Sequence, residues 1–152
     1  MGAALFRCTM AKTILLAEDS PDDVILFLEV MRRSGLRNPV IVVHDGAEAI
    51  AYLKGNGKFA DRNQYPLPAI LMLDLRMPRM DGFHVLEWIH TQPRLHEMLV
   101  VVLSHYGETE DIRRAYALGA HSFLTKPFTH NDLLNLAGHF DGNWERSSAR
   151  TE

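Results

Sequence analysis

Two adjacent acids, Glu18 and Asp19, follow the apolar run TILLA, and a third, Asp74, ends the run AILML. Ser104 follows LVVVL, and Lys126-Pro127 follow HSFLT. Each polar group stands where an apolar stretch opens into a loop. Three carboxylates brought together repel one another unless a cation lies between them. A donor set of oxygens, with no histidine or cysteine, favours Mg²⁺ over zinc. Octahedral Mg²⁺ keeps several waters and takes one or two carboxylates plus phosphate oxygens. A lysine and a hydroxyl beside such a metal suit a phosphoryl group, Lys126 neutralising one oxygen and Ser104 donating to another. Asp74 is then the candidate nucleophile, since carboxylates accept phosphoryl groups in enzymes. Such a transfer depends mainly on positioning and charge neutralisation.

These side chains meet only if their apolar runs are neighbouring parallel strands, with the acids at the carboxyl ends where open sheets keep their crevice. The pattern predicts this. A strand over Thr13 to Ala17 is followed by a helix opening, with Ser20 as N-cap, Pro21 at the first position and Asp22 and Asp23 against the positive helix end. Val24, Phe27, Leu28 and Met31 recur at helical spacing. Further strands are expected over Pro39 to Val43, over the run ending at Asp74, over Leu99 to Leu103 and over Ala120 to Thr125. Helices are expected after Asp45-Gly46, over Gly82 to Thr91, Glu108 to Leu118 and Asn131 to Phe140. The polar stretch Gly55 to Pro68 is long for a connection, and such loops are often functional or mobile. Strands alternating with helices predict an α/β fold, a doubly wound five-stranded parallel sheet with five helices.

The chain has 152 residues, 47% hydrophobic and 23% charged, which suits one folded domain. A formal net charge of -3 and the lack of a Lys/Arg-rich run give no case for nucleic acid. The longest apolar run, Met98 to Leu103, is far short of the ~20 residues of a membrane span. A single cysteine, Cys8, excludes an intrachain disulfide framework and fits a reducing compartment. The expectation is a cytoplasmic protein that binds neither membrane nor nucleic acid. Residues 1–11 are expected to form a disordered extension, 12–140 the domain, and 141–152 a polar tail that frays after Gly142 without an output module.

The motifs EDS after the first strand, DLRMPRMDG around Asp74, LS after the fourth strand and KPF after the fifth resemble the receiver domain of two-component response regulators. Order and spacing agree over roughly Lys12 to Phe140. The resemblance implies a flavodoxin-like receiver fold and an Asp74 that accepts phosphate from a sensor histidine kinase or phosphotransfer protein. It implies Mg²⁺ bound by Asp19 and Asp74, with Glu18 acting through water and the Arg76 backbone carbonyl as a further ligand. Ser104 and Lys126 would assist, and Lys126-Pro127 would carry a cis peptide. Signalling would run through the fourth helix, fifth strand and fifth helix, a face that also suits a homodimer. The YPLPAILMLDL and HTQPRLHEM segments are similar to small single-domain regulators associated with phytochrome-type and hybrid kinases.

Departures from the family pattern leave alternatives. His105 stands where a small residue is usual; it restricts access or alters phosphate lifetime, or simply faces solvent. Tyr106 lies near the mouth as a shield against water. Phe123, at the switch position, moves by burial alone or is a core residue. Arg76 pairs with a cleft acid or leans outward. The other histidines show no paired metal spacing. An aspartyl phosphatase would place a second acid two residues after Asp74, where Arg76 stands. A docking domain that is never phosphorylated usually lacks an acid or the lysine, and this chain keeps both.

Overall fold

The computed structural model describes residues 11–105 and 107–146. Five strands, β1 (Ile14–Ala17), β2 (Val40–Val43), β3 (Ile70–Asp74), β4 (Leu99–His105) and β5 (Ser122–Lys126), form one parallel sheet in the order β2-β1-β3-β4-β5. The helices between and after them are α1 (Pro21–Ser34), α2 (Gly46–Lys54), α3 (Gly82–His90), α4 (Thr109–Ala117) and α5 (His130–His139). The fold is the expected one, with boundaries moved by a residue or two and β4 continuing to His105.

Both faces of the sheet are covered, which is why its central strands read as nearly continuous apolar runs. Leu15, Ala17, Leu71, Leu73, Val100 and Val102 point to one core, shared with Tyr52 and Leu53 of α2, Phe83 and Leu86 of α3 and Ala115 of α4. Ile14, Leu16, Ile70, Met72, Val101 and Leu103 point to the other, against Phe27 and Met31 of α1 and Leu133 and Leu136 of α5. The sorting follows from the two-residue period of a strand.

Two expectations change. The stretch Gly55 to Pro68 is built rather than loose. It holds a 3₁₀ turn, Gly57–Phe59, and Phe59 packs against the rings of Tyr52 and Tyr65 at centroid distances of 5.1 and 5.2 Å. Arg62 donates to the carbonyls of Tyr52, Leu53 and Tyr65. Nor does the chain fray directly after Gly142. Trp144 is buried in the α1–α5 core, the Arg37 amide donates to the Glu145 carbonyl at 2.7 Å, and Arg146 bridges to Leu36. One aromatic side chain supplies the burial that the surrounding polar residues lack. Residues 1–10 and 147–152, with the rest of the expected extension and tail, lie outside the described residues.

Candidate functional site

The register of the sheet assembles the site. Ala17 pairs with Leu73, so Glu18 and Asp74, each one residue further on, emerge side by side at the switch point between β1 and β3. Asp74 pairs with Leu103, and His105 with Lys126, which brings the ends of β4 and β5 to the same edge. Glu18, Asp19 and Asp74 each offer a carboxylate oxygen within 4.8 Å of the other two. Glu18, Asp74, Ser104 and Lys126 are buried, and Asp19 is exposed.

Two glycines hold the loop after β3 against the sheet edge. A Cβ on Gly82 would lie 2.8 Å from the Asp74 carbonyl, and one on Gly46 would lie 2.2 Å from the Met80 carbonyl. Both positions therefore exclude a side chain, and the Gly82 amide donates to the Leu75 carbonyl at 3.1 Å. Asp81 caps α3 by accepting from the His84 amide. The Arg76 amide donates to Asp74 Oδ1 at 2.9 Å and orients the carboxylate.

The Lys126 ammonium sits among three acids, donating to Glu18 Oε1 at 2.6 Å, Asp23 Oδ2 at 2.9 Å and Asp74 Oδ2 at 3.2 Å. Burial opposes its charge, but hydrogen bonds to Glu18 and Asp23 and the charges of Asp74 and Glu18 outweigh burial and hold its pKa above the ordinary lysine range. Burial, and then a hydrogen bond shared with Asp74, push the Glu18 carboxyl up to about 7 against the pull of Lys126. Ser104 Oγ is buried and finds no hydrogen-bond partner among the described residues. Such an orphaned hydroxyl costs stability and has a donor free for an incoming group.

Of the remaining sequence candidates, Lys126-Pro127 is cis. His105 has its side chain exposed and lines, with Asp23, Lys126 and Phe128, a mostly apolar cavity of about 230 Å³. Phe123 is not a core residue; it is 37% exposed and meets Tyr116 of α4 edge-to-face at 6.2 Å. The Arg76 side chain pairs with Asp111 of α4 at 2.5 Å, away from the acid cluster. Tyr106 lies outside the described residues. Asp23 is the residue that the sequence reading missed. Its place in the first turn of α1 already explained its charge, and only the fold shows that it reaches Lys126.

The fold and the acid-lined edge define a receiver domain, and comparison with known proteins agrees. The family described as response regulator receiver domain matches residues 14–137, so the chain belongs to that family, a signalling family rather than one of ordinary enzymes. Response regulator Rcp1 of Synechocystis sp. is 34% identical over 133 residues, 88% of each chain. The bacteriophytochrome response regulator RtBRR is 36% identical with a TM-score of 0.76, over 85% of this chain and 77% of that one. The phosphorylated cyanobacterial phytochrome response regulator RcpA is 33% identical with a TM-score of 0.73, over 93% of this chain and 98% of that one. A structure of the Mn(2+)-bound form of Rcp1 is similar as well, 34% identical with a TM-score of 0.69 over 86% of this chain and 92% of that one. The likeness to phytochrome-linked regulators expected from the sequence is therefore found.

Proposed function

We propose that Asp74 accepts a phosphoryl group from a phosphohistidine donor and that the domain signals through the resulting change of shape. The observation that carries this reading is the convergence, at one sheet edge, of three carboxylates, a buried lysine and an unpartnered buried hydroxyl. In the transfer, Asp74 Oδ forms the new O–P bond while the P–N bond of the donor breaks and the imidazole keeps that electron pair. The domain later hydrolyses its own acyl phosphate, water attacking phosphorus and restoring the carboxylate.

The residues present fit a divalent metal. All donors of the cluster are carboxylate oxygens, and two of its three acids are buried, a charge density that invites a hard cation. Asp19 and Asp74 would hold Mg²⁺ directly, with Glu18 acting through water and the Arg76 carbonyl completing the protein's share. Bound there, Mg²⁺ would supply neutralisation of the charge on the transferring oxygens. The chain's own residues do the rest. The Arg76 amide fixes the acceptor carboxylate, Ser104 donates to one phosphoryl oxygen, and Lys126 compensates another. Phosphorylation adds about -1.5 to -2 charges. Ser104 and Lys126 then shift toward it, and the shift passes through α4, β5 and α5, where Phe123 and Tyr116 stand exposed. His105, whose exposed side chain lines the cavity beside Lys126, modulates how long the phosphate survives, and Tyr106, the next residue in sequence, is assigned the same role.

The names of the relatives, which are phytochrome response regulators, support a phytochrome-type histidine kinase as donor. A hybrid kinase or a phosphotransfer protein is the alternative donor, and a second copy of the chain is the proposed reader of the altered face. No described helix is long and apolar enough to cross a membrane, which suits a cytoplasmic location. Incubation with Mg²⁺ and a small acyl phosphate is expected to add one phosphoryl mass to the protein and none to Asp74→Asn. Equal uptake by the variant contradicts the assignment.

A further inference from the structure

Lys126 has three N–H donors, and in this structure three carboxylates take them. A phosphoryl oxygen arriving at Asp74 needs one of these donors, so one acid has to give way. Glu18 is the poorest candidate. It is 1% exposed, so loss of the ammonium would leave a buried charge without its partner. Asp74 carries the phosphoryl group and stays beside it. Asp23 differs from both. Its side chain is 31% exposed, and it lies outside the cluster of three acids that face one another. It also stands in the first turn of α1, where the helix dipole stabilises a free carboxylate. Losing Lys126 therefore costs Asp23 least.

We propose that Asp23 is a positioning residue that holds the Lys126 ammonium in reserve in the unphosphorylated state and exchanges it for a phosphoryl oxygen when Asp74 is modified. Its carboxylate competes with the phosphoryl group for one lysine donor and so sets how readily the site closes on its ligand. The ion pair also joins the first turn of α1 to the end of β5, and both residues line the cavity between α1 and the loop after β5. Release of Asp23 would open that wall of the cavity at the moment of phosphorylation. The inference rests on the phosphoacceptor reading of Asp74.

The test uses fluoroberyllate, a phosphoryl mimic, titrated with Mg²⁺ into the full chain and into Asp23→Asn and Asp23→Glu. Asp23→Asn keeps the shape of the side chain and removes its charge. It should bind the mimic about two- to fivefold more tightly, the range a partly exposed ion pair supports. Asp23→Glu should return toward the original affinity, and Mg²⁺ affinity alone should be the same in all three. A purely structural role for Asp23 would instead lower the unfolding midpoint of Asp23→Asn and leave mimic affinity unchanged or weaker, which overturns the proposal. A wild-type chain that binds no mimic overturns the phosphoacceptor reading, and this inference with it. Binding by wild type without tightening in Asp23→Asn overturns the inference alone.

Discussion

Glu18 is a carboxylate almost without solvent, tolerated because the Lys126 ammonium donates to it at 2.6 Å. Its pKa of about 7, against 4.5 for the free side chain, has a definite sign. The folded state binds the extra proton, so this contribution to stability is fully present below about pH 4.5 and is lost as pH rises through about 7. A metal competes for the same oxygens and favours the deprotonated form. Mg²⁺ affinity, followed by calorimetry, should therefore rise from pH 5.5 to pH 8 and level off, and Glu18→Gln should flatten the rise. An affinity independent of pH would contradict the electrostatic account of this acid. Glu18, Asp19, Asp74, Ser104 and Lys126 were legible as a group because each interrupts an apolar run with a polar side chain. Asp23 was not. An acid in a first helical turn has a sufficient local reason to be there, and its partner lies 103 residues away.

At the scale of elements, the apolar runs were easier to read than the segments between them. Strands buried on both faces leave a plain signal. The stretch from Gly55 to Pro68 does not, because its order comes from side chains reaching distant carbonyls. Arg62 donates to three of them, two at the C-terminal end of α2, where the Tyr52 carbonyl also accepts from the Gly55 amide and the Leu53 carbonyl from Arg94. Arg62→Ala should cost about 1–3 kcal/mol, the penalty of losing these charge-assisted hydrogen bonds. The same variant should be cleaved faster by protease between Gly55 and Pro68. A cleavage rate equal to wild type would show that the aromatic cluster of Tyr52, Phe59 and Tyr65 holds the loop unaided. The loop after β3 follows the same logic with backbone alone, since Gly82 and Gly46 permit contacts that any Cβ would block. From the sequence, Gly82 showed the start of a helix but not the need for close approach. Arg76 links that loop to α4 through Asp111, so the acceptor's own loop and the helix expected to move are joined in the resting state.

At the scale of the whole molecule, the described residues form a sheet with two cores, and the second core is closed by a residue from the segment expected to fray. Trp144 packs among side chains of α1, β1 and α5, and Asn38 and Asn143 add hydrogen bonds that fasten the chain beneath the amino ends of the strands. Trp144→Ala should destabilise the fold by about 3–5 kcal/mol, as removal of a buried aromatic does. Urea unfolding would show it, and a loss below about 1 kcal/mol would mean that the tail is an ornament on a core already complete. The polar composition of residues 141–152 hid this because a single aromatic does not alter a window average. The proposed site lies at the far end of the sheet, and everything proposed there depends on Asp74. The most direct test is to phosphorylate the protein with a small acyl phosphate and Mg²⁺, digest it and locate the modified peptide by mass spectrometry. The account predicts the phosphoryl group on the peptide bearing Asp74 and only when Mg²⁺ is present. Modification elsewhere, or at Asp74 without dependence on a divalent metal, would contradict it.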